Sequence, residues 1–323
     1  MALETLRKLW KNEYFQTAIT VILLLAFVFG FWYVTQTVLR TGYPALAVAS
    51  TSMLPTLNVG DLIIVQGVPP EQINANYLTG DIVVFTDAKG DLIVHRAVKV
   101  ENISGEYWFT TKGDNVPGSK DQFSPWPASR LVGKVVGRIP WIGNFALLMH
   151  SQQNIYLFTV VIIILIVIIL FFPFEAGKEE KESDEKLVLG KMSLKMVYLI
   201  ILNIILIGFI IFSLWGTFTF WNPGAGSNDH GMYVTVYGMF SDIGFHESFR
   251  QPFNNISKVD FTQGFLTYTL NCFVSDGSYE GLRTGVLTFS WAQAAIIVLA
   301  VLDVWELTKF LRKRKKTEEM VEA

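Results

Sequence analysis

The sequence predicts a membrane protein of the α+β class, with four transmembrane helices carrying a β-rich extracytoplasmic domain and a second, small β-rich extracytoplasmic domain. Three observations lead there. Long uncharged apolar runs recur along the 323 residues, and about 20 such residues in helical rise cross a bilayer core. Between them lie short runs rich in Val, Ile, Phe and Tyr, punctuated by Gly, Pro, Asn and Asp, which is the pattern of strands and turns. Lysine and arginine crowd at both ends of the chain, so the positive-inside rule puts both termini in the cytoplasm.

The elements follow in order. Residues 1–14 form a cytoplasmic N-terminus holding Arg7, Lys8 and Lys11. Residues 15–39 carry no charge and read as the first span; as a cleavable signal peptide the run is overlong and has no small-x-small exit at Thr37 to Arg40. Residues 40–154 then lie outside, with strand-like runs at Tyr43–Val48, Leu62–Gln66, Ile82–Thr86, Leu92–Val100, Tyr107–Thr111 and Leu131–Ile139, and a hairpin turning at Asp87–Asp91. Residues 155–174 are the second span. The loop 175–195 has five lysines and six carboxylates; acidic groups count little toward orientation, so it fits the cytoplasm. Residues 196–221 are the third span. Residues 222–290 return to the exterior with strand-like stretches at Met232–Phe240, Gly264–Val274 and Gly285–Trp291.

The fourth span, 291–308, holds Asp303 and Glu306 in its last turns, where an acidic group costs little near the interface, and Trp291 and Trp305 mark its two ends. The basic tail 309–323 reads as an orientation signal and an anchor to anionic lipid. The two Asn-x-Ser/Thr sequons, at Asn102 and Asn255, fall one in each exterior segment. The localisation expected is a cell membrane, multi-pass, with the β-rich parts outside.

Composition excludes several functions. A formal net charge of -2 lacks the concentrated basic surface that a nucleic-acid partner requires. The single cysteine, Cys272, closes no intramolecular disulfide and builds no metal-thiolate site. His230 beside Asp229 and His246 beside Glu247 are sequence neighbours, which a strand points to opposite faces, so no metal is expected there. No organic cofactor is expected either.

The stretch ASTSMLPTL, residues 49–57, offers a different chemistry. A serine is a weak nucleophile at neutral pH and needs a neighbouring base to take its proton during attack. Histidine, with an ordinary pKa of about 6.5, suits that task unaided, whereas lysine must first be desolvated. His95 lies on the second strand of the hairpin, and it is the one histidine well inside residues 40–154, His150 being at their end. A carboxylate must also fix the imidazole tautomer, and TKGDNVPGSKDQ supplies two candidates, Asp114 and Asp121.

The order of these residues resembles the type I signal peptidase family: an N-terminal anchor, then Ser52-Met53-Leu54-Pro55-Thr56, then His95-Arg96, then Gly113-Asp114-Asn115 and Ser119-Lys120-Asp121. The resemblance covers about residues 15–140. Histidine where bacterial members have lysine marks the archaeal and endoplasmic-reticulum branch. It implies that Ser52 is the nucleophile and His95 the general base, that Asp121 is the first choice for the orienting acid with Asp114 second, and that Ser50 and the Ser52 amide receive the oxyanion. Met53 and Pro55 are then expected to shape the substrate groove. The implied activity is a membrane-bound serine endopeptidase that removes signal peptides from preproteins, with the lipid bilayer and a translocon as candidate partners and no cofactor. The contrasting expectation is a non-catalytic polytopic receptor or secretion-complex subunit with partner-binding β-domains.

Overall fold

The computed structural model describes residues 12–150, 187–189, 192–226, 230–276 and 279–322, with residues 10, 159 and 162 besides. Most of the predicted second span and most of the charged loop lie outside the described residues. The rest is an α+β structure in which a large β-rich body meets the ends of three long helices.

Helix α1 (Glu13–Leu39) starts at Asn12, whose side chain accepts from the amides of Tyr14 and Phe15 and satisfies two of the free donors of a helix start. It ends where Arg40 turns left-handed at φ 53°. Its apolar side chains are exposed on all sides, Phe27, Phe29 and Phe31 among them, as for a helix whose surroundings are lipid rather than a protein core. Helix α3 (Leu194–Trp215) has the same character, and among the described residues α1 and α3 are the two helices long and apolar enough to cross a membrane. The predicted third span is cut short at Gly216. Beyond it, Thr217–Asn222 alternates Thr with aromatic residues and folds as strand β8, paired with β9 (Met232–Tyr237). Helix α5 (Trp291–Glu322) runs without interruption through the predicted fourth span into the basic tail and packs along α3, where its Asp303 accepts from Asn203 at 3.2 Å.

The strands of residues 40–154 lie close to where the sequence places them: β1 (Ala45–Ala47), β2 (Leu62–Gln66), β3 (Ile82–Thr86), β4 (Leu92–Ile103), β5 (Glu106–Lys112), β6 (Trp126–Pro127) and β7 (Leu131–Ile139). Helix α2 (Gly143–His150) follows. The later segment, 222–290, adds helix α4 (Met239–Ser248) and strands β10 (Arg250–Gln251), β11 (Asn254–Gln263), β12 (Thr267–Asp276), β13 (Tyr279–Arg283) and β14 (Thr288–Phe289).

Among the described residues twelve strands join in one sheet, in the order β10-β11-β12-β14-β7-β3-β4-β5-β6, with β2 also on β7, β1 on β2 and β13 on β12. The expectation of a separate second domain is therefore revised. Strand β14 lies parallel to β7 with Thr288 opposite Arg138, and the Arg138 amide donates to the Leu287 carbonyl at 2.8 Å. An open edge on β7 would leave its backbone groups unpaired, and the late segment of the chain supplies the partner. Helix α4 was hidden in the sequence because Met239 and Phe240 continue a strand-like run; its buried Met239, Asp242 and His246 show helical spacing.

Strand β3 is buried on both faces. Ile82 and Val84 pack with Met53, Leu57, Ile63 and Val65, while Val83 and Phe85 pack with Ala97, Phe109 and Trp126. Phe85 stacks on Trp126 at 4.3 Å between ring centroids. Because β4 pairs with β3 in register, His95 opposite Val83 and Arg96 opposite Ile82 point to opposite faces of the sheet.

Candidate active site

Three segments converge at one edge of this body. The turn after β1 carries Ser52, β4 carries His95, and the loop between β5 and β6 carries Asp121. Ser52 Oγ lies 3.2 Å from His95 Nε2, and His95 Nδ1 lies 2.6 Å from Asp121 Oδ2. His95 and Asp121 are buried and Ser52 is half-buried, so the line of groups runs from the interior to an accessible hydroxyl. Phe85 and Phe123 flank the imidazole with centroids 6.5 and 6.1 Å away.

The Asp121 carboxylate is held on every side. Thr111 donates its hydroxyl to Oδ2 at 2.8 Å, while Ser124 donates its hydroxyl and Phe123 its amide to Oδ1 at 2.9 and 3.0 Å. Trp126 in turn donates from Nε1 to the Thr111 hydroxyl at 3.1 Å. Burial pushes the Asp121 carboxyl up, but its hydrogen bond and electrostatic attraction to the His95 ring, with the two hydroxyls, outweigh it and hold it below the usual carboxylate range. An ionised Asp121 accepts a hydrogen bond from Nδ1–H, and with the proton held there Nε2 keeps its lone pair toward Ser52. Chemically, that arrangement lets the hydroxyl pass its proton to the ring while the carboxylate steadies the resulting cation.

Asp114 stands elsewhere. It forms a two-pronged pair with Arg96, Nε to Oδ1 at 2.9 Å and Nη2 to Oδ2 at 2.7 Å, and Thr56 donates to Oδ2 at 2.6 Å. Burial raises this carboxyl, yet the charges of Arg96 and Arg283 hold it well below the usual range. Sequence order alone left both aspartates open; the alternation of β4 separates them, since the residue that faces Asp114 is Arg96 and the one that faces Asp121 is His95.

Ser50 Oγ is 3.4 Å from Ser52 Oγ, on the exposed side of the turn. Met53 is fully buried in the core with Leu57 and Ile63, and Pro55 is buried as well. Both therefore support the serine turn from beneath rather than from its exposed side. Gly113 is required by close approach, since a Cβ there would lie 2.7 Å from the Ser52 carbonyl and 3.0 Å from His95 Nε2. Sequence reasoning missed Thr111, Ser124 and the Phe123 amide, whose roles depend on a loop geometry that no spacing announces.

Among the described residues no three His, Cys, Asp or Glu side chains converge as metal ligands. His246 instead donates from Nδ1 to the Asp242 carbonyl at 2.8 Å, inside a buried network in which Arg138 pairs with both Asp61 and Asp242. Burial pushes Asp61 up to about 6 despite Arg138, whereas Asp242 is held low because the charges of Arg138 and His246 outweigh the effect of its burial. This network ties the Asn58–Asp61 stretch, just after the serine turn, to helix α4.

No family model matches the chain. The chain is 31% identical over 151 residues to the signal peptidase complex catalytic subunit SEC11 of Candida albicans (strain SC5314 / ATCC MYA-2876), an overlap covering 43% of this chain and 86% of that protein. With the protein of the same name from Colletotrichum graminicola it shares 32% over 133 residues, 39% of this chain and 76% of the relative. With that of Dictyostelium discoideum it shares 31% over 126 residues, 36% and 66% respectively.

Proposed function

The chain belongs to the type I signal peptidase family, in its archaeal and endoplasmic-reticulum branch, and from that membership we propose that Ser52, His95 and Asp121 carry out its removal of signal peptides. The protein is a signal peptidase, a serine endopeptidase. The observation that carries the assignment is the unbroken relay from Ser52 through His95 to Asp121, at 3.2 and 2.6 Å.

In this reading Ser52 Oγ attacks the scissile carbonyl as its proton moves to His95 Nε2, and the ring, now cationic, is steadied by Asp121 across Nδ1. The oxyanion is met by the Ser52 amide and the Ser50 hydroxyl. His95 then returns the proton to the leaving amine, which departs as the new N-terminus of the mature protein. A water attacks the acyl-enzyme with His95 again as base, and the signal peptide leaves with a free carboxylate. Asp114 serves the site indirectly, by fixing Arg96 and the Gly113–Asn115 turn.

The bilayer is the setting. Helix α1 enters the β-rich body at its C-terminal end, α3 likewise, and α5 leaves it from its N-terminal end, an arrangement that supports placing residues 40–154 and 222–290 on one side and both termini on the other. The relay then sits near the membrane surface, where a signal peptide's apolar helix ends and its extended cleavage region begins.

The test is cleavage of a full-length preprotein by the purified chain in detergent. Ser52→Ala and His95→Ala should each abolish processing in chains that remain folded at the assay temperature; near-normal turnover by either would overturn the assignment.

A further inference from the structure

The serine turn and the Gly113–Asn115 turn form the two walls of the Ser52–His95 gap, and the first exterior segment joins them through Asn115. Its amide donates to the Ser52 carbonyl at 2.8 Å and its side chain to the Thr51 carbonyl at 3.1 Å. A further clamp comes from the second exterior segment. Asn254, at the start of β11 and wholly buried, donates from Nδ2 to the Asp114 carbonyl at 2.8 Å and reaches the Leu54 carbonyl at 3.4 Å. Arg283, at the end of β13 and also buried, donates from Nη1 to Asn254 Oδ1 at 2.8 Å. That contact fixes the orientation of the amide, so its two N–H groups face the two turns. Arg96, the partner of Asp114, is tied to the same segment through the Thr284 carbonyl at 3.0 Å.

We propose that Asn254, oriented by Arg283, is a positioning residue for the Ser52–His95 pair, so that residues 222–290 complete the active site rather than merely adjoin it. The inference rests on Ser52 and His95 being the reacting pair. A rigid, planar amide bonded to carbonyls on both turns sets the distance between them. The Asp114 carbonyl it holds follows Gly113 directly, and Gly113 leaves no room even for a methyl group against Ser52 and His95. Any slide of that turn is therefore transmitted into the gap where the proton moves. The contact from Leu54 to Asn254 spans 200 positions, so an alignment of 151 residues cannot contain both ends of it. The relatives' similarity does not account for this clamp.

The experiment uses the full chain in detergent and a full-length preprotein. Asn254→Asp keeps the acceptor for Arg283 and loses the N–H donors, so it removes the clamp and retains the anchor. Expected is a fall in kcat of about 100-fold, the scale of an ångström of misplacement, with KM within twofold and an unmoved acid limb in the pH profile of kcat/KM, measured on chain that is still folded at the assay temperature although the oxygen now facing two carbonyls lowers its melting temperature. A kcat within threefold of wild type in folded Asn254→Asp overturns the proposal. So does a loss of rate in Asn254→Asp or Asn254→Ala that simply tracks the folded fraction. Ser52→Ala is run alongside: if it stays active, the nucleophile assignment fails, whereas an inactive Ser52→Ala beside a fully active Asn254→Asp sinks the clamp alone.

Discussion

Replacing Asp121 by asparagine is a sharper perturbation than its near-isosteric size suggests. The two carboxylate oxygens face different donors: Oδ1 accepts from the Phe123 amide at 3.0 Å, and Oδ2 accepts from His95 Nδ1 at 2.6 Å. The Phe123 amide is backbone and cannot turn away. An asparagine therefore puts its carbonyl toward Phe123 and its NH2 toward His95, where the Thr111 hydroxyl, free to rotate, becomes an acceptor. The imidazole must then accept at Nδ1 and carry its proton on Nε2, the tautomer unable to take a proton from Ser52. Loss of the carboxylate charge adds to this, and the combined effect should be about 10⁴-fold in kcat, or roughly 5.4 kcal/mol of transition-state stabilisation at 1.36 kcal/mol per factor of ten. Asp121→Ala removes the charge but leaves the ring free to choose either tautomer, so asparagine should be at least as damaging as alanine. Single-turnover cleavage of a preprotein, with melting temperatures checking the fold, measures both. An Asp121→Asn enzyme within tenfold of wild type, or clearly more active than Asp121→Ala, would refute the tautomer argument.

Three other outcomes are expected. Gly113→Ala should lower kcat by about 100-fold in a folded protein, because its methyl group meets the Ser52 carbonyl and His95; wild-type rates would show that the turn yields freely. Asp114→Asn leaves Arg96 buried without its countercharge, at a cost of about 3–5 kcal/mol, seen as a melting temperature lower by roughly 10 °C. Asp114, Asp121 and Asp242 all lie below the ordinary carboxylate value of 3.8 in the folded chain. Below that value the unfolded chain binds more protons, so their contribution to stability is whole above about pH 4 and is lost as pH falls further. Asp61, raised to about 6, acts in the opposite sense, its contribution declining as pH rises from 3.8 to 6. Melting temperature against pH should accordingly fall steeply on the acid side, and less steeply in Asp114→Asn; identical slopes would contradict the Arg96 pairing.

The β-rich first segment was legible in the sequence because its strands are governed by local alternation, and three of them, β2, β3 and β7, end at the residues the pattern indicates. Ser52 and His95 stood out by residue type as a candidate nucleophile and a candidate base, and the structure sets them 3.2 Å apart. The choice between Asp114 and Asp121 was not legible, because it depends on which face of β4 each carboxylate meets. Helix α4 and strand β11 escaped for a different reason: Met239 and Phe240 continue a β-like run, and Asn254 to Gln263 is too polar to look like a strand until β12 pairs with it. The buried pairs Arg138 with Asp242 and Asn254 with Arg283 join distant stretches, and charge composition gives no hint of which cation meets which anion.

The reach of the Leu54–Asn254 contact also has a temporal side. A ribosome that has made the serine turn must add 200 more residues before Asn254 exists, which at about 5–20 residues per second takes roughly 10 to 40 s. Strand β14, which closes the sheet against β7, is made later still. On the proposed clamp, the newborn chain thus holds Ser52 long before it holds the pieces that set it in place.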